Sequence, residues 1–599
     1  MTTDSSSTFW QRWFTAPTRY LRSQSLFWLT LNLVIALSSQ LVILQKTWGE
    51  TYSIQDDARQ HVFWMQRFIN PDLFPNDLIT DYFQSVAPVG YHTLYHGFAQ
   101  LGGDPFIFNK VLPIFLMLLS VGLFFWLCLE ILPVPFVAFI STLLLEQFIN
   151  VEDDIVSGTP RAFVYPLLLA LLLAWVRGAW RVGWAIIWLQ SWFYPQAVLI
   201  SSGLVLFKTG YWEGWRWHWS KYRAHYLFGL GGLLVGIVVL LPFAVQTSEF
   251  GPVISVETAR TLPEFYPGGR AFFFDNNFTD FWLKNSRSGY LARIQRLPAT
   301  AHAAIAFPFL LALSHGFPLI RKINKQKLAV IGYLLLVSTV LFFLAHLLIF
   351  KLHLPSRYIK YSLRIVLAIA TGFSVMAILD SLLNQVARLR VAQFIRTIVA
   401  GGLVILLSVP ILIYPLFLKG YPKSNIVDGE QPWLYEYLQA HPPDIVVASL
   451  DEEADVLPSF SQRAVYAARE YGIPYHWGYY QQYRQRVQAL ITAQYTPDLA
   501  MLQTFIRESG VDYWLISNEA FTVEYIQENN HDWLRQFEPE VSTAITNLES
   551  GQIPALKQVA EYCTVESQNN FQLIKTDCII DLPTPYVLFG SIRPLTRNH

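Results

Sequence analysis

The sequence predicts a polytopic α-helical membrane protein of about eleven membrane-spanning helices, followed by a C-terminal α/β domain on the outer side of the membrane. Three observations lead to this prediction. Of the 599 residues, 53% are hydrophobic and 14% are charged, whereas a soluble protein carries about 25% charged residues. The apolar residues are gathered into long runs, and a helix needs about 20 such residues to cross a bilayer. The region after about residue 423 has a soluble composition instead.

The apolar runs give the predicted spans. They lie at 26–44, 109–132, 135–149, 160–176, 225–245, 299–320, 328–350, 361–383 and 397–418. One further stretch, 182–207, is too long for a single straight span, and Pro195 interrupts it. Because proline breaks or kinks a helix, we expect two short helices that meet at this point.

Basic residues set the predicted orientation, because short cytoplasmic loops are rich in Lys and Arg. Five basic segments become cytoplasmic together if 182–207 crosses the membrane twice. They lie at 12–22, 177–181, 208–223, 321–327 and 388–396. This predicts a cytoplasmic N-terminus and an extracytoplasmic C-terminal domain. The length and character of the first apolar run favour a retained spanning helix over a cleaved signal, which fits a bacterial inner membrane.

The predicted domains are a transmembrane domain over 1–422 and an α/β domain over 423–599. The outer loops of the first are 46–108, 150–159 and 246–298, with a short link at 351–360. In the second domain, strand patterns at 445–450 and 511–516 alternate with helix patterns at 433–439, 479–495 and 499–509. In the first loop, apolar residues from Ala58 to Ile69 recur at helical spacing and suggest an amphipathic helix at the membrane interface.

Asp56 and Asp57 open that helix pattern in the first outer loop. Acidic residues are also common at helix N-termini for structural reasons, and Asp56 could serve as an N-cap. The functional interpretation is a carboxylate that removes a proton from an acceptor hydroxyl at the membrane surface.

Glu152, Asp153 and Asp154 follow the third predicted span, and Arg161 stands at the mouth of the next. Neighbouring carboxylates repel unless they are solvated, protonated or bound to a cation. A divalent cation such as Mg²⁺ or Mn²⁺ suits oxygen ligands. A solvated loop is the alternative interpretation.

Arg357, Lys360 and Arg364 lie near the predicted outer end of a span, against the trend of the other basic segments. Such cations suit a lipid phosphate or pyrophosphate on the outer face. They could instead reach towards lipid headgroups.

Charge and cysteine content narrow the function classes. The formal net charge is zero, so no excess of basic residues indicates nucleic-acid binding. Cys128 lies in an apolar run, while Cys563 and Cys578 lie near the C-terminus and would be able to pair in an oxidising compartment. The sequence leaves open whether they do.

This layout resembles the GT-C superfamily of membrane glycosyltransferases, which includes protein mannosyltransferases, aminoarabinose transferases and oligosaccharyltransferase catalytic subunits. The resemblance covers nearly the whole chain, but its motifs are short. It implies that Asp56 or Asp57 activates or positions the acceptor, that residues 152–154 hold a metal, and that Arg357, Lys360 and Arg364 hold the donor phosphate. His476-Trp477-Gly478 lacks the Asp of the oligosaccharyltransferase acceptor motif, which argues against peptide N-glycosylation.

The resulting hypothesis is a glycosyltransferase that moves a sugar from a polyprenyl-phosphate donor to a lipid, glycan or protein on the outer face. A transporter or flippase of a lipid-linked glycan is one alternative, since the broken 182–207 segment also suits transport. A non-catalytic membrane protein of polysaccharide assembly is another.

Overall fold

The computed structural model describes residues 9–17, 23–213, 216–245, 249–528 and 533–583. Parts of four predicted segments lie outside these ranges: 18–22 of the N-terminal basic segment, 214–215 of the basic segment 208–223, 246–248 of the third outer loop, and 529–532 and 584–599 of the C-terminal domain.

Long apolar helices recur throughout the first 417 residues. Among the described residues, seven helices are long and apolar enough to cross a membrane, as expected of an integral membrane protein. They are Ser23–Thr47, Pro105–Ile131, Pro160–Arg177, Arg223–Phe243, Lys325–Leu347, Ser356–Ala387 and Gln393–Phe417. Each coincides with a predicted span.

The remaining predicted spans are shorter or broken. Pro135–Asn150 is an apolar helix of 16 residues. The stretch 182–207 forms two helices, Trp180–Phe193 and Pro195–Leu206, which meet at an extended Tyr194. This confirms the predicted break, because the residue before a proline avoids helical geometry. The span expected at 299–320 is divided into Ala299–Ile305, Ala306–Ala312 and Pro318–Arg321. The total of about eleven crossings stays a prediction.

Helix Ser356–Ala387 is packed closely against helix Pro135–Asn150. A Cβ added at Gly372 would lie 2.1 Å from the Ser141 hydroxyl oxygen. Only glycine allows this approach, and small residues commonly bring membrane helices together in this way. The contact sets the helix that carries Lys360 and Arg364 beside the one that leads into residues 152–154.

The first predicted outer loop is held to the segment after the last long apolar helix. Strand β1 (Ser53–Gln55) pairs with strand β4 (Ile426–Asp428) in an antiparallel arrangement. A separate antiparallel pair joins β2 (Gly210–Glu213) to β3 (Arg216–Trp219). The β1–β4 pair ends immediately before Asp56 and so fixes the start of the candidate site.

The amphipathic helix expected at 58–69 differs in the structure. The segment is a short helix, Ala58–His61, followed by a 3-10 turn, Phe63–Phe68. Residues from Val62 to Met65 are fully buried within the protein. Phe63 packs on Tyr471 with ring centroids 5.4 Å apart, so the apolar side of this segment faces protein. A regular helix, Val89–Gln100, follows later in the same loop.

The C-terminal region contains a five-stranded sheet in the order β6-β5-β7-β9-β8. Its strands are β5 (Val446–Ala448), β6 (Ala464–Val465), β7 (Tyr513–Ser517), β8 (Thr564–Gln568) and β9 (Phe571–Lys575). The first three run parallel and the last two add antiparallel pairs. The longer helices here are Pro432–Gln439, Trp477–Tyr495, Leu499–Ser509, Glu540–Glu549 and Ala555–Cys563.

Several local features of this region follow from its sequence. Helix Leu499–Ser509 ends at Gly510, which adopts a left-handed φ of 66°, a conformation that glycine supplies without strain. Buried Trp514 and Leu515 lie on the central strand. Cys563 and Cys578 form a disulfide, whereas Cys128 is a buried free thiol.

Candidate active site

Asp56 and Asp57 are positioned by the backbone that leaves the β1–β4 pair. The Asp56 amide donates to the Asn425 carbonyl at 2.9 Å, and the Asp57 amide donates to Gln55 Oε1 at 2.9 Å. The short helix Ala58–His61 starts directly afterwards, without a side-chain cap from Asp57. Neither carboxylate therefore caps the helix, which was the structural alternative considered for this pair. The surroundings of the two carboxylates differ.

The Asp56 carboxylate pairs with Arg59. Arg59 also lies 3.0 Å from Glu470, which in turn lies 3.0 Å from Arg270. Burial and the neighbouring Glu470 raise the pKa of Asp455, beside this group, to about 7. Asp56 thus belongs to a network that joins the first loop, residues 249–298 and the C-terminal region.

The Asp57 carboxylate faces the membrane helices instead. Its Oδ2 lies 2.5 Å from Arg161 Nη2, and the same nitrogen lies 3.0 Å from Asp153 Oδ2. Burial raises the pKa of Asp57 to about 6, although Arg161 acts in the opposite direction. Burial, with a contribution from Arg161, also lowers the pKa of nearby His61 to about 4, so that imidazole is neutral at pH 7. The Asp57 carboxylate is therefore placed to exchange a proton near neutral pH.

The acidic residues at 152–154 contact the basic residues of helix Ser356–Ala387. Lys360 Nζ lies 2.7 Å from Asp154 Oδ1, and Arg364 Nη1 lies 2.9 Å from Asp154 Oδ2. Both cations also lie 3.5 Å from Glu152. Although burial acts to raise it, the pKa of Asp154 is held well below its usual value by Lys360 and Arg364. Two groups that the sequence assigned to separate ligands are therefore bound to each other.

Arg293 and Arg296 also reach this group, and sequence reasoning missed them. Their guanidinium groups lie 2.6 and 3.3 Å from the Glu152 carboxylate. Both belong to the loop predicted to be extracytoplasmic, so the excess of cations on that side was a usable signal. Asn425, also missed, donates to Asp153 Oδ2 at 2.7 Å. Together these residues form what we call the central charge cluster: Asp57, Glu152, Asp153, Asp154, Arg161, Arg293, Arg296, Lys360 and Arg364.

Arg357 differs from the cations of the central charge cluster. It lies one turn before Lys360 and two turns before Arg364 on the same helix, a spacing that brings the three to one side. In the part of the chain that the structure describes, no carboxylate forms an ion pair with it. Arg357 therefore has charge available for an anionic ligand.

The residues present do not fit the divalent cation expected at 152–154. Mg²⁺ and Mn²⁺ require several oxygen ligands at short distances. Each carboxylate of this segment already faces Lys or Arg, and within the described ranges no group of three His, Cys, Asp or Glu side chains is arranged to hold a metal ion. Fixed Lys and Arg side chains, in place of a divalent metal ion, neutralise these carboxylates.

Comparisons with known proteins find similarity in structure. No family model matches the chain, and no curated protein matches its sequence. The oligosaccharyltransferase AglB of Archaeoglobus fulgidus, in its apo form, superposes with a TM-score of 0.53 at 11% identity, covering 87% of this chain and 73% of that one. The same enzyme in complex with an inhibitory peptide and a dolichol-phosphate gives 0.53 at 10% identity, covering 87% and 72%.

The mycobacterial arabinofuranosyltransferase AftD is similar at a TM-score of 0.41 and 12% identity, covering 86% of this chain and 36% of that one. Both neighbours are GT-C glycosyltransferases. Since the similarity to AglB extends over most of both chains, this protein shares the fold of AglB, a GT-C glycosyltransferase, as the resemblance in the sequence predicted.

Proposed function

We propose that this protein is a glycosyltransferase that moves a sugar from a polyprenyl-phosphate-linked donor to a lipid, glycan or protein acceptor. The observation that carries the proposal is the position of Asp57 in the cation-rich central charge cluster, where its Oδ2 lies 2.5 Å from Arg161 Nη2. Burial there raises the pKa of Asp57 to about 6. The fold shared with an oligosaccharyltransferase supports it.

In the proposed reaction Asp57 accepts the proton of the acceptor hydroxyl or amine. The acceptor atom forms a bond to the anomeric carbon of the donor sugar. The bond between that carbon and the phosphate oxygen breaks, and the electron pair leaves with the polyprenyl phosphate. Negative charge grows on the phosphate in the transition state, and a fixed cation there lowers the barrier.

The charges of the site favour a phosphate ligand. In the central charge cluster five cations face four carboxylates, and Arg357 adds a sixth cation on the helix that carries Lys360 and Arg364. We assign direct phosphate contact to Arg357, which has no carboxylate partner among the described residues. Lys360 and Arg364 are bound to Asp154 and would stabilise the phosphate through longer-range electrostatic attraction, without contacting it. An AglB structure contains a dolichol-phosphate, a lipid phosphate of the proposed kind.

We further propose that this site and the C-terminal region face outward, with the N-terminus in the cytoplasm, in a membrane such as the bacterial inner membrane. The disulfide between Cys563 and Cys578 supports an outward-facing C-terminal region, since disulfides persist in oxidising compartments. The excess of cations in the cytoplasmic segments of the predicted topology supports it as well.

The test is sugar transfer in membranes that contain the full chain and an isotope-labelled polyprenyl-phosphate sugar. We expect Asp57→Asn to lower the rate by at least about a hundredfold, the usual contribution of a general base. Asp56→Asn should lose less, and Asp72→Asn, an exposed carboxylate in the same loop, should match the wild type. Undiminished transfer by Asp57→Asn would overturn the assignment.

The rival function is transport of a lipid-linked glycan, which the helix break at Tyr194 favours. The same membranes distinguish the two functions. A transporter would move labelled donor across the bilayer without forming a new glycosidic product. Its movement of donor across the bilayer would also be insensitive to Asp57→Asn.

A further inference from the structure

Arg161 occupies a position between two carboxylates from distant parts of the chain. Its Nη2 lies within 3.0 Å of both Asp57 Oδ2 and Asp153 Oδ2. We propose that the Arg161 guanidinium is the resident cation of the site, a positioning residue that holds Asp57 against Asp153 in the place where a divalent cation would otherwise bridge them.

The surroundings of Arg161 support a fixed position. Its side chain is 15% exposed, and it follows Thr159 and Pro160 at the start of a long apolar helix. The Nε atom donates to Ser157 Oγ at 3.4 Å, which holds the guanidinium against the 152–159 loop. A guanidinium keeps its positive charge at all relevant pH values, whereas a bound metal ion exchanges with solvent.

The contacts with the two aspartates are ionic in character. The Nη2 atom is buried and lies at ion-pair distance from both oxygens, yet its N–H bonds are not aligned with either of them. Electrostatic attraction therefore holds the three side chains together without directed hydrogen bonds. This is the role that a bridging metal ion plays between carboxylates.

Without this cation the two aspartates would repel each other across a partly buried space. Two carboxylates that share such a space do not both ionise readily. Arg161 lowers the pKa of Asp57 against the effect of burial, and the pKa of Asp153, which burial also acts to raise, is lowered chiefly by Arg161. In this way Arg161 keeps Asp57 ionised and oriented as a base.

The other two carboxylates of the central charge cluster are already paired with cations. Glu152 is paired with Arg293 at 2.6 Å, and Asp154 is paired with Lys360 at 2.7 Å. The inference rests on the proposed function where it calls Asp57 a base. The cation position itself is independent of that function, and its experiment is chosen accordingly.

The experiment measures Mn²⁺ binding to the purified full-length protein in detergent, by calorimetry and by electron paramagnetic resonance. We expect the wild type to show no Mn²⁺ site that depends on Asp153. Arg161→Gln should create one, with affinity raised at least about tenfold over the wild type, because removal of the cation leaves Asp57 and Asp153 facing each other. Arg161→Lys should not create the site.

The double variant Arg161→Gln/Asp153→Asn should lose the new site, which assigns it to these side chains. Mn²⁺ binding by the wild type that Asp153→Asn abolishes would overturn the inference, as would a folded Arg161→Gln variant that gains no binding. If Arg161→Gln does not fold, the comparison of wild type with Asp153→Asn decides the question alone. Sugar transfer, measured with and without a chelator, reports separately on the proposed function.

Discussion

Lys360 and Asp154 form a buried ion pair, with Nζ and Oδ1 2.7 Å apart and side chains that are 4% and 0% exposed. The two residues are separated by 206 positions in the sequence. The pair joins helix Ser356–Ala387 to the loop after helix Pro135–Asn150, and Arg364 strengthens it from one turn further along. The charges in this part of the site therefore stabilise the fold and also set the electrostatic potential of the site.

Removal of one partner of such a pair should be costly. We expect Lys360→Met to destabilise the protein by about 3 kcal/mol or more, because Asp154 would be left buried with less compensation. The matched control is Lys284→Met, which removes the exposed Lys284–Asp280 pair at 3.0 Å and should cost less than about 1 kcal/mol. Melting midpoints in detergent rank the stabilities of the two variants. Equal midpoints would contradict a stabilising role for the Lys360–Asp154 pair.

The pH dependence of transfer should follow Asp57. Since burial raises its pKa to about 6, the carboxylate is protonated below that value and cannot accept a proton. We expect kcat/KM for the donor to be level above pH 6 and to fall about tenfold for each pH unit below it. Asp56→Asn should keep this acid limb, whereas the residual activity of Asp57→Asn should lack it. A level profile down to pH 5 in the wild type would contradict a base of this kind.

Much of the fold could be predicted because its signals are local. The long apolar runs became helices, and the proline in 182–207 marked a real break. The strand patterns at 445–450 and 511–516 became β5 and β7 of one sheet. Apolar periodicity at 58–69 was less informative, because it does not distinguish a lipid surface from the protein that actually covers Val62 to Met65.

The site was harder to predict because its relationships are long-range. The sequence marked residues 152–154 as acidic and Arg357, Lys360 and Arg364 as anomalous cations, but it could not show that Asp154 binds Lys360 and Arg364. The bridge from Asp57 through Arg161 to Asp153 was equally hidden. Arg293 and Arg296 would have been found if the same orientation rule had been applied to the loop that carries them.

The predicted orientation can be tested with the disulfide. We expect a membrane-impermeant reductant followed by an impermeant maleimide to label Cys563 and Cys578 in intact cells, because both lie in the region proposed to face outward. Cys128 is the internal control, since it is fully buried in a long apolar helix and should stay unlabelled. Labelling that requires disruption of the membrane would place the C-terminal region in the cytoplasm.

Arg357 should affect the donor without affecting stability. It forms no ion pair with a carboxylate of the described chain, so its removal leaves no buried charge uncompensated. We expect Arg357→Gln to raise KM for a polyprenyl-phosphate sugar by about tenfold to a hundredfold, the loss of a hydrogen bond to a charged group. Arg357→Lys should fall between, because lysine keeps the charge but not the fork that binds two phosphate oxygens.

The control for that experiment is Arg364→Gln, on the same side of the same helix. It removes contacts of 2.9 Å to Asp154 and 3.5 Å to Glu152, so it should lower the melting midpoint. Arg357→Gln should leave the midpoint near that of the wild type. The opposite pattern, a lowered midpoint with an unchanged KM for Arg357→Gln, would show that Arg357 supports the fold and would remove it from the donor site. Donor KM and melting midpoint measured on the same preparations decide between the two roles.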